Sequence, residues 1–160
     1  LLFCKRELCQ IPSRMKKNIL FTALILAAGT GNRFGDKCPK QYQNLSGHPV
    51  LCHAIMCFLS HPLCQQVRVV INHEHQELYE NAVQNLDLPP PIFGGKSRKV
   101  SCYQGLQALS HMNHNDPILI HDAARPFISH KDISRKPRLW CEMQSCLERH
   151  GACEATWQAL

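Results

Sequence analysis

Three clusters of residues have the types and spacing to act on a phosphorylated substrate. The first is Gly29-Thr30-Gly31-Asn32-Arg33-Phe34-Gly35, with Lys40 following behind Pro39. Three glycines in seven residues suit a loop with positive-φ positions, which can wrap backbone N–H groups around an anion. Arg33 and Lys40 add two fixed cations. Beside an anion nest, two cations can bind a leaving pyrophosphate and stabilise charge at the α-phosphorus of a nucleoside triphosphate. The segment is not a Walker A loop, because no Gly-Lys-Ser/Thr closes it. Its third glycine also falls one place late for G-x-G-x-x-G. On spacing alone, a solvated glycine loop with surface cations is the competing reading.

The second cluster centres on Asp122, which ends the apolar run Ile118-Leu119-Ile120 through His121. A carboxylate at the end of a buried strand can hold Mg²⁺ or another divalent cation, as phosphoryl chemistry on a nucleotide requires. It can equally cap a helix or pair with Arg125. The third is Ser101, one turn into a helix behind Gly94-Gly95, where a hydroxyl or an amide can meet a base edge. His121 reads as a core or supporting histidine with no role of its own. His73, His75, His111 and His114 read as surface helix residues.

These clusters need a scaffold, and the first candidate strand comes with an ambiguity. Met15-Lys16-Lys17-Asn18 followed by the apolar run Ile19 to Ala28 imitates a secretory signal peptide. The glycine loop, Arg33, Lys37 and Lys40 just beyond have no place in one. The run is therefore read as a strand around Ile19–Leu26, buried on both faces of a parallel sheet. Pro49 to Leu59 places Val50, Leu51, Ala54, Ile55, Phe58 and Leu59 on a helical stripe, with Pro49 in the first turn. Val67 to Ile71 is a β-branched strand. Glu74 to Leu86 reads as a helix with Leu78, Ala82, Val83 and Leu86 inward, broken by Pro89-Pro90-Pro91. Ser97 to Met112 reads as another, presenting Val100, Leu106 and Leu109, with Gly105 allowing close packing. Strands alternating with helices give a parallel sheet with right-handed crossovers, and ligands gather at the carboxyl ends of such strands. The loops after Leu26, Phe93 and Ile120 all lie there.

Composition excludes several other classes. The 160 residues suit one domain, and 44% hydrophobic with 19% charged residues is a globular balance. The longest apolar run is too short to span a bilayer. The net charge is +6, but residues 1–18 hold five Lys/Arg against one Glu, so the excess is N-terminal and not a basic face. Nucleic-acid binding, which needs clustered cations and stacking aromatics, is not expected. Ten cysteines without a C-x-x-C read as reduced thiols serving as small hydrophobes. Cys141, Cys146, His150 and Cys153 are potential zinc ligands, at a spacing that matches no common zinc module.

Four co-linear segments together resemble a known family. They are Ala27-Ala28-Gly29-Thr30-Gly31-Asn32-Arg33-Phe34, Cys38-Pro39-Lys40-Gln41-Tyr42, Gly94-Gly95-Lys96-Ser97-Arg98-Lys99-Val100-Ser101 and His121-Asp122-Ala123-Ala124-Arg125-Pro126-Phe127. The chain from about Ile19 to Ser129 resembles the 2-C-methyl-D-erythritol 4-phosphate cytidylyltransferases of the non-mevalonate isoprenoid pathway, some of which are fused to a cyclodiphosphate synthase. Ribitol-phosphate cytidylyltransferases share the first two motifs but usually differ within the Asp-Ala-Ala-Arg segment, so Ala123-Ala124 favours the erythritol enzyme. The resemblance implies an α/β, Rossmann-like nucleotidyltransferase domain with a mainly parallel sheet, incomplete at the C-terminus. It implies a cytoplasmic enzyme that joins CTP to a sugar-alcohol phosphate with Mg²⁺, and a homodimer whose dimerising segment has no counterpart here. Arg33 and Lys40 would stabilise the transition state. Ala27, Ala28, Gly29, Thr30, Gly31, Gly94, Gly95, Arg98 and Ser101 would bind the nucleotide. Asp122 would lie at the metal, and Arg125 would face the acceptor phosphate.

The expected organisation is an N-terminal extension over 1–14, a nucleotide-binding portion over 15–130 and a tail over 131–160. The tail matches none of the family's later motifs and reads as the product of a shifted reading frame. Little transferase activity is expected of such a chain, and a non-catalytic nucleotide-binding remnant is the alternative from another class.

Overall fold

The computed structural model describes residues 20–30, 38–110 and 117–135. In chain order the elements are strand β1 (Phe21–Ala27), a 3-10 turn at Lys40–Tyr42, the short strands β2 (Asn44–Leu45) and β3 (His48–Pro49), and helix α1 (Val50–Leu59). Strand β4 (Cys64–Ile71), helix α2 (Gln76–Val83), strand β5 (Ile92–Phe93), helix α3 (Arg98–Ala108) and strand β6 (Ile118–Asp122) follow. Four strands form one sheet in the order β5-β4-β1-β6, and every neighbouring pair is parallel. The fold is thus the α/β, Rossmann-like arrangement with a parallel sheet that the alternating pattern predicts.

β1 is the centre of the sheet, and all seven of its residues are buried. The period-two alternation of a strand divides them between two cores. Phe21, Ala23, Ile25 and Ala27 pack with Leu51, Ile55 and Phe58 of α1 and with Tyr79 and Val83 of α2. Leu24 and Leu26 face the other way, toward Val70, Leu106 and Leu109. α1 and α2 therefore cover one face and α3 the other. Gly105 lets α3 sit close to the sheet, since a Cβ there would lie 2.7 Å from Leu24 Cδ2 and 3.0 Å from Val70 Cγ2.

Several expectations need correcting in detail. The second helix ends at Val83 rather than Leu86; Val83 is buried and Ala82 and Leu86 pack on the core as expected, but Tyr79, 3% exposed, also faces inward and Leu78 is exposed. The third helix ends at Ala108, capped by Ser97, whose Oγ accepts from Val100 N at 3.2 Å. Ser101, Gly105 and Leu109, each four residues apart, form its buried line, and Val100 is exposed. Gly105, Leu106 and Leu109 face the sheet as expected, but Ser101 takes the inner position that the apolar count gave to Val100. His75 is buried beside Tyr42 instead of lying on the surface. His111 and His114 lie outside the described residues. Among the described residues, positive φ occurs only at Ser46 and Gly47, the turn of the β2–β3 hairpin, so Gly29 does not use it. In that turn Asn44 Oδ1 accepts from Gly47 N at 2.9 Å.

The packing also continues past the boundary expected at residue 130. Residues 130–135 are helical, and Ser129 Oγ accepts from Asp132 N at 3.2 Å at the start of that turn. Ile133 is fully buried in the core beneath α1. His61 and Ser134 add a 2.9 Å hydrogen bond, tying the turn to the end of α1.

Candidate functional site

The chain runs outward from β1 through β4 to β5, then returns to place β6 on the other side of β1. The strand order reverses between β1 and β6, and in open α/β sheets the ligand crevice lies at the carboxyl ends of strands at such a point. A cleft of about 870 Å³ occupies this position, a size suited to a small-molecule ligand. Ala28, Gly29 and Thr30 line it from β1, Gly94, Gly95, Arg98 and Ser101 from β5 and α3, and Asp122 from β6. Three loops predicted from separate strands thus converge on one site.

The β1 loop is held from behind. Gln41 Nε2 donates to Ala27 O at 2.8 Å and to Gly29 O at 2.7 Å. Ala27 itself is buried beneath the wall, while Gly29 and Thr30 are exposed on it. Lys40 lines the cleft from the turn that also carries Gln41. Gly31 and Arg33 lie outside the described residues.

The opposite wall needs its glycine. Gly94 N donates to Ile71 O at 2.8 Å, which extends the ladder between β4 and β5. A Cβ on Gly94 would lie 2.7 Å from Ala28 Cβ and 2.7 Å from Ser101 Oγ. The β1 loop and the Gly94-Gly95 segment therefore touch through the bare Cα. Ser101 is 2% exposed; its Oγ accepts from Gly95 N at 3.2 Å and reaches Gly95 O at 3.3 Å. The hydroxyl thereby orders the peptide groups of the Gly94-Gly95 segment at the cleft floor.

Asp122 is one of two carboxylates that line the cleft, with Glu74, and two guanidiniums flank it. Arg98 Nε and Nη2 both lie 3.0 Å from Oδ1, and Arg125 Nε lies 3.6 Å from Oδ2. Arg125 is mostly exposed and, unlike Arg98, is not among the residues that line the cleft. An oxygen donor of this kind suits a hard divalent cation, which commonly takes one or two carboxylates and completes its shell with substrate phosphates and water. Among the described residues no group of three or more metal-ligating side chains gathers. The chemistry of Asp122 is that of a single carboxylate ligand, compatible with a hard divalent cation.

His121 supports this corner. Its Nε2 donates to Arg125 O at 2.9 Å and its ring meets Phe58 edge-on at 5.3 Å. Burial holds its pKa below the ordinary histidine value, against the raising effects of that hydrogen bond and of Asp122. The neutral ring fixes the backbone that carries Arg125. Sequence reasoning left Gln41, Asn72, Glu74, Lys96, Ser97 and Ala124 out of the cleft, although all line it. Asn72 and Glu74 belong to a turn after β4 in which Asn72 Oδ1 accepts from Glu74 N at 3.1 Å. An Asn after a buried strand and before a helical pattern is the one signal that marks this turn. The five described cysteines, Cys38, Cys52, Cys57, Cys64 and Cys102, are all free thiols, as expected of small hydrophobes.

Known proteins with related sequences and folds bear on this site. A model of the 2-C-methyl-D-erythritol 4-phosphate cytidylyltransferase family matches residues 21–147 and so extends beyond Ser129. The bifunctional enzyme IspD/IspF of Paramagnetospirillum magneticum is 42% identical over 127 residues, covering 79% of this chain and 31% of that protein. The bifunctional enzyme IspD/IspF of Rhizorhabdus wittichii is 44% identical over 113 residues, with 71% and 28% covered. The chain thus spans about a third of the length of these relatives. A solved 4-diphosphocytidyl-2C-methyl-D-erythritol synthase superposes with a TM-score of 0.61 at 27% identity, covering 73% of this chain and 52% of that one.

Proposed function

The chain belongs to the 2-C-methyl-D-erythritol 4-phosphate cytidylyltransferase family, and we propose that its cleft binds CTP for transfer of the cytidylyl group to that sugar-alcohol phosphate, with release of pyrophosphate. The convergence of the β1 loop, the Gly94–Ser101 segment and Asp122 at the point of strand reversal carries this reading. Their chemistry divides the nucleotide among them. Backbone groups of Ala28, Gly29 and Thr30 and of Gly94 and Gly95, ordered by Ser101, take the base and ribose. By the family resemblance, Gly31 would meet the phosphates.

Arg33 and Lys40 neutralise charge that builds on the α-phosphoryl oxygens and on the leaving pyrophosphate. Attack by the acceptor phosphate is in line, so the protein's work is positioning and electrostatics without a covalent enzyme intermediate. Arg125 meets the acceptor phosphate. Asp122 would hold Mg²⁺ or another divalent cation, which would supply charge neutralisation to the triphosphate. Arg98, which lines the same cleft, would offer its guanidinium to phosphate oxygens.

The free thiols among the described residues favour a reducing, cytoplasmic setting. Among the same residues no helix is long and apolar enough to cross a membrane. The Ala123-Ala124 pair and the family match both favour methylerythritol phosphate over ribitol phosphate as acceptor. Pyrophosphate release from CTP with each acceptor tests the reading: turnover only with methylerythritol phosphate supports it, and preference for ribitol phosphate refutes it.

A further inference from the structure

We propose that Gln41 is a positioning residue that sets the nucleotide loop from behind and ties it to the turn carrying Lys40. The inference rests on the nucleotide-binding reading above and assigns a role to a side chain that reading does not use. Gln41 is 5% exposed, and its Nε2 donates to both Ala27 O and Gly29 O at 2.8 and 2.7 Å. A primary amide nitrogen has two N–H donors, so both are spent on one loop.

Both carbonyls lie where the ladders of β1 end. β4 pairs with β1 as far as Ala27 opposite Ile71, β6 only as far as Leu26 opposite Asp122, and Ala123 N takes Leu26 O at 3.0 Å. In extended chain, successive peptide groups point to opposite sides. Holding the carbonyls of residues 27 and 29 toward Gln41 fixes the backbone on either side of Ala28, which lines the cleft. It also keeps two carbonyl dipoles from facing an anionic ligand. The anchor is rigid: Tyr42 is buried, and Tyr42 N donates to Pro39 O at 2.9 Å across the turn. Lys40, adjacent in that turn, lines the same cleft. One side chain thereby fixes the distance between the loop that holds the nucleotide and a cation that acts on it.

The test is CTP titration of the 160-residue chain and two variants, with denaturation midpoints measured alongside. Gln41→Met keeps the length and removes both donors. Gln41→Glu keeps the shape and sets carboxylate oxygens against carbonyls. Both variants are expected to weaken CTP binding roughly ten-fold or more through loss of two buried hydrogen bonds. Gln41→Glu alone recovers part of the affinity on acidification, because a protonated carboxyl regains one donor. Unchanged CTP affinity in a folded variant, with only a lower midpoint, would reduce Gln41 to a strand cap and overturn the inference. Should neither variant fold, hydrogen exchange of the Gln41 side-chain amide in the unaltered chain decides. Linkage is reciprocal, so bonds that favour CTP must be strengthened by it. Saturating CTP therefore slows that exchange, and an unchanged rate overturns the proposal. Absence of CTP binding by the unaltered chain refutes the nucleotide reading itself and removes the basis of this one.

Discussion

Replacing Gly94 with alanine puts a methyl group where the two nucleotide loops meet. The added Cβ would lie 2.7 Å from Ala28 Cβ, 2.7 Å from Ser101 Oγ and 3.0 Å from Val70 Cγ1. Carbon atoms in good contact sit about 3.5–4.0 Å apart, so about 0.8 Å or more must be found. Ala28 Cβ has no rotamer to change, and Gly94 is pinned by its 2.8 Å bond to Ile71 O. The backbone of one loop must therefore move. Overpacking of this kind costs about 1–3 kcal/mol. Lower entropy in the unfolded chain returns about 0.4–1 kcal/mol. The expected net loss is about 1–2 kcal/mol in urea denaturation, with CTP affinity down about ten-fold because the displaced atoms form the cleft wall. Gly29→Ala is the control, since nothing lies within 4 Å of its added Cβ. Its stability should stay within about 0.5 kcal/mol of the parent. A Gly94→Ala protein as stable as the parent and equally tight for CTP would refute the packing argument.

Lys40→Ala should lower the rate of pyrophosphate release by about 100-fold or more while changing CTP affinity only a few-fold. Equal losses in both would show that Lys40 only binds. Asp122→Asn should move the denaturation midpoint little, because its partners Arg98 and Arg125 are 48% and 66% exposed and such pairs contribute about 0–1 kcal/mol. It should instead abolish the dependence of CTP binding on divalent cation, measured by calorimetry with and without Mg²⁺; a preserved dependence would remove Asp122 from the metal. Burial holds His61, His75 and His121 below their ordinary value, with His130 adding to the effect at His61. The unfolded chain protonates these rings near about pH 6.5 and the folded chain only at lower pH. Their contribution is complete above that value and is lost as pH falls below it. Midpoints measured from pH 8 to pH 5 should decline below about 6.5, and a flat profile would contradict the neutral, buried assignment.

The scaffold was legible because β1 is a continuous apolar run buried on both faces, a pattern that leaves few alternatives. Likewise, β6 ends in a carboxylate that the topology must deliver to the strand-reversal point. On the inner face of α3, Gly105, Leu106 and Leu109 pack as the pattern implies, and the misreading was Val100, which is exposed while Ser101 is buried. Gly105 is selected by the closeness of Leu24, and Ser101 by the peptide groups of Gly94-Gly95. The glycine was legible as a close-packing position, but the demand on Ser101 appears in no local pattern. Gln41 was missed for the same reason: its two partners lie 14 and 12 residues away and are backbone carbonyls, which every residue possesses. The hairpin at Ser46-Gly47 carried a short-range turn signal that the longer helical and strand patterns overshadowed.

The central claim is that three loops at the carboxyl ends of β1, β5 and β6 form one CTP site. Backbone amide shifts of the labelled chain, followed by NMR as CTP and Mg²⁺ are added, test it most directly. The account predicts saturable changes, with one dissociation constant, at Ala28, Gly29 and Thr30, at Gly94 to Ser101 and at Asp122, and weaker changes with ATP. Shifts confined to one of the three segments, or none at saturating CTP, would contradict it.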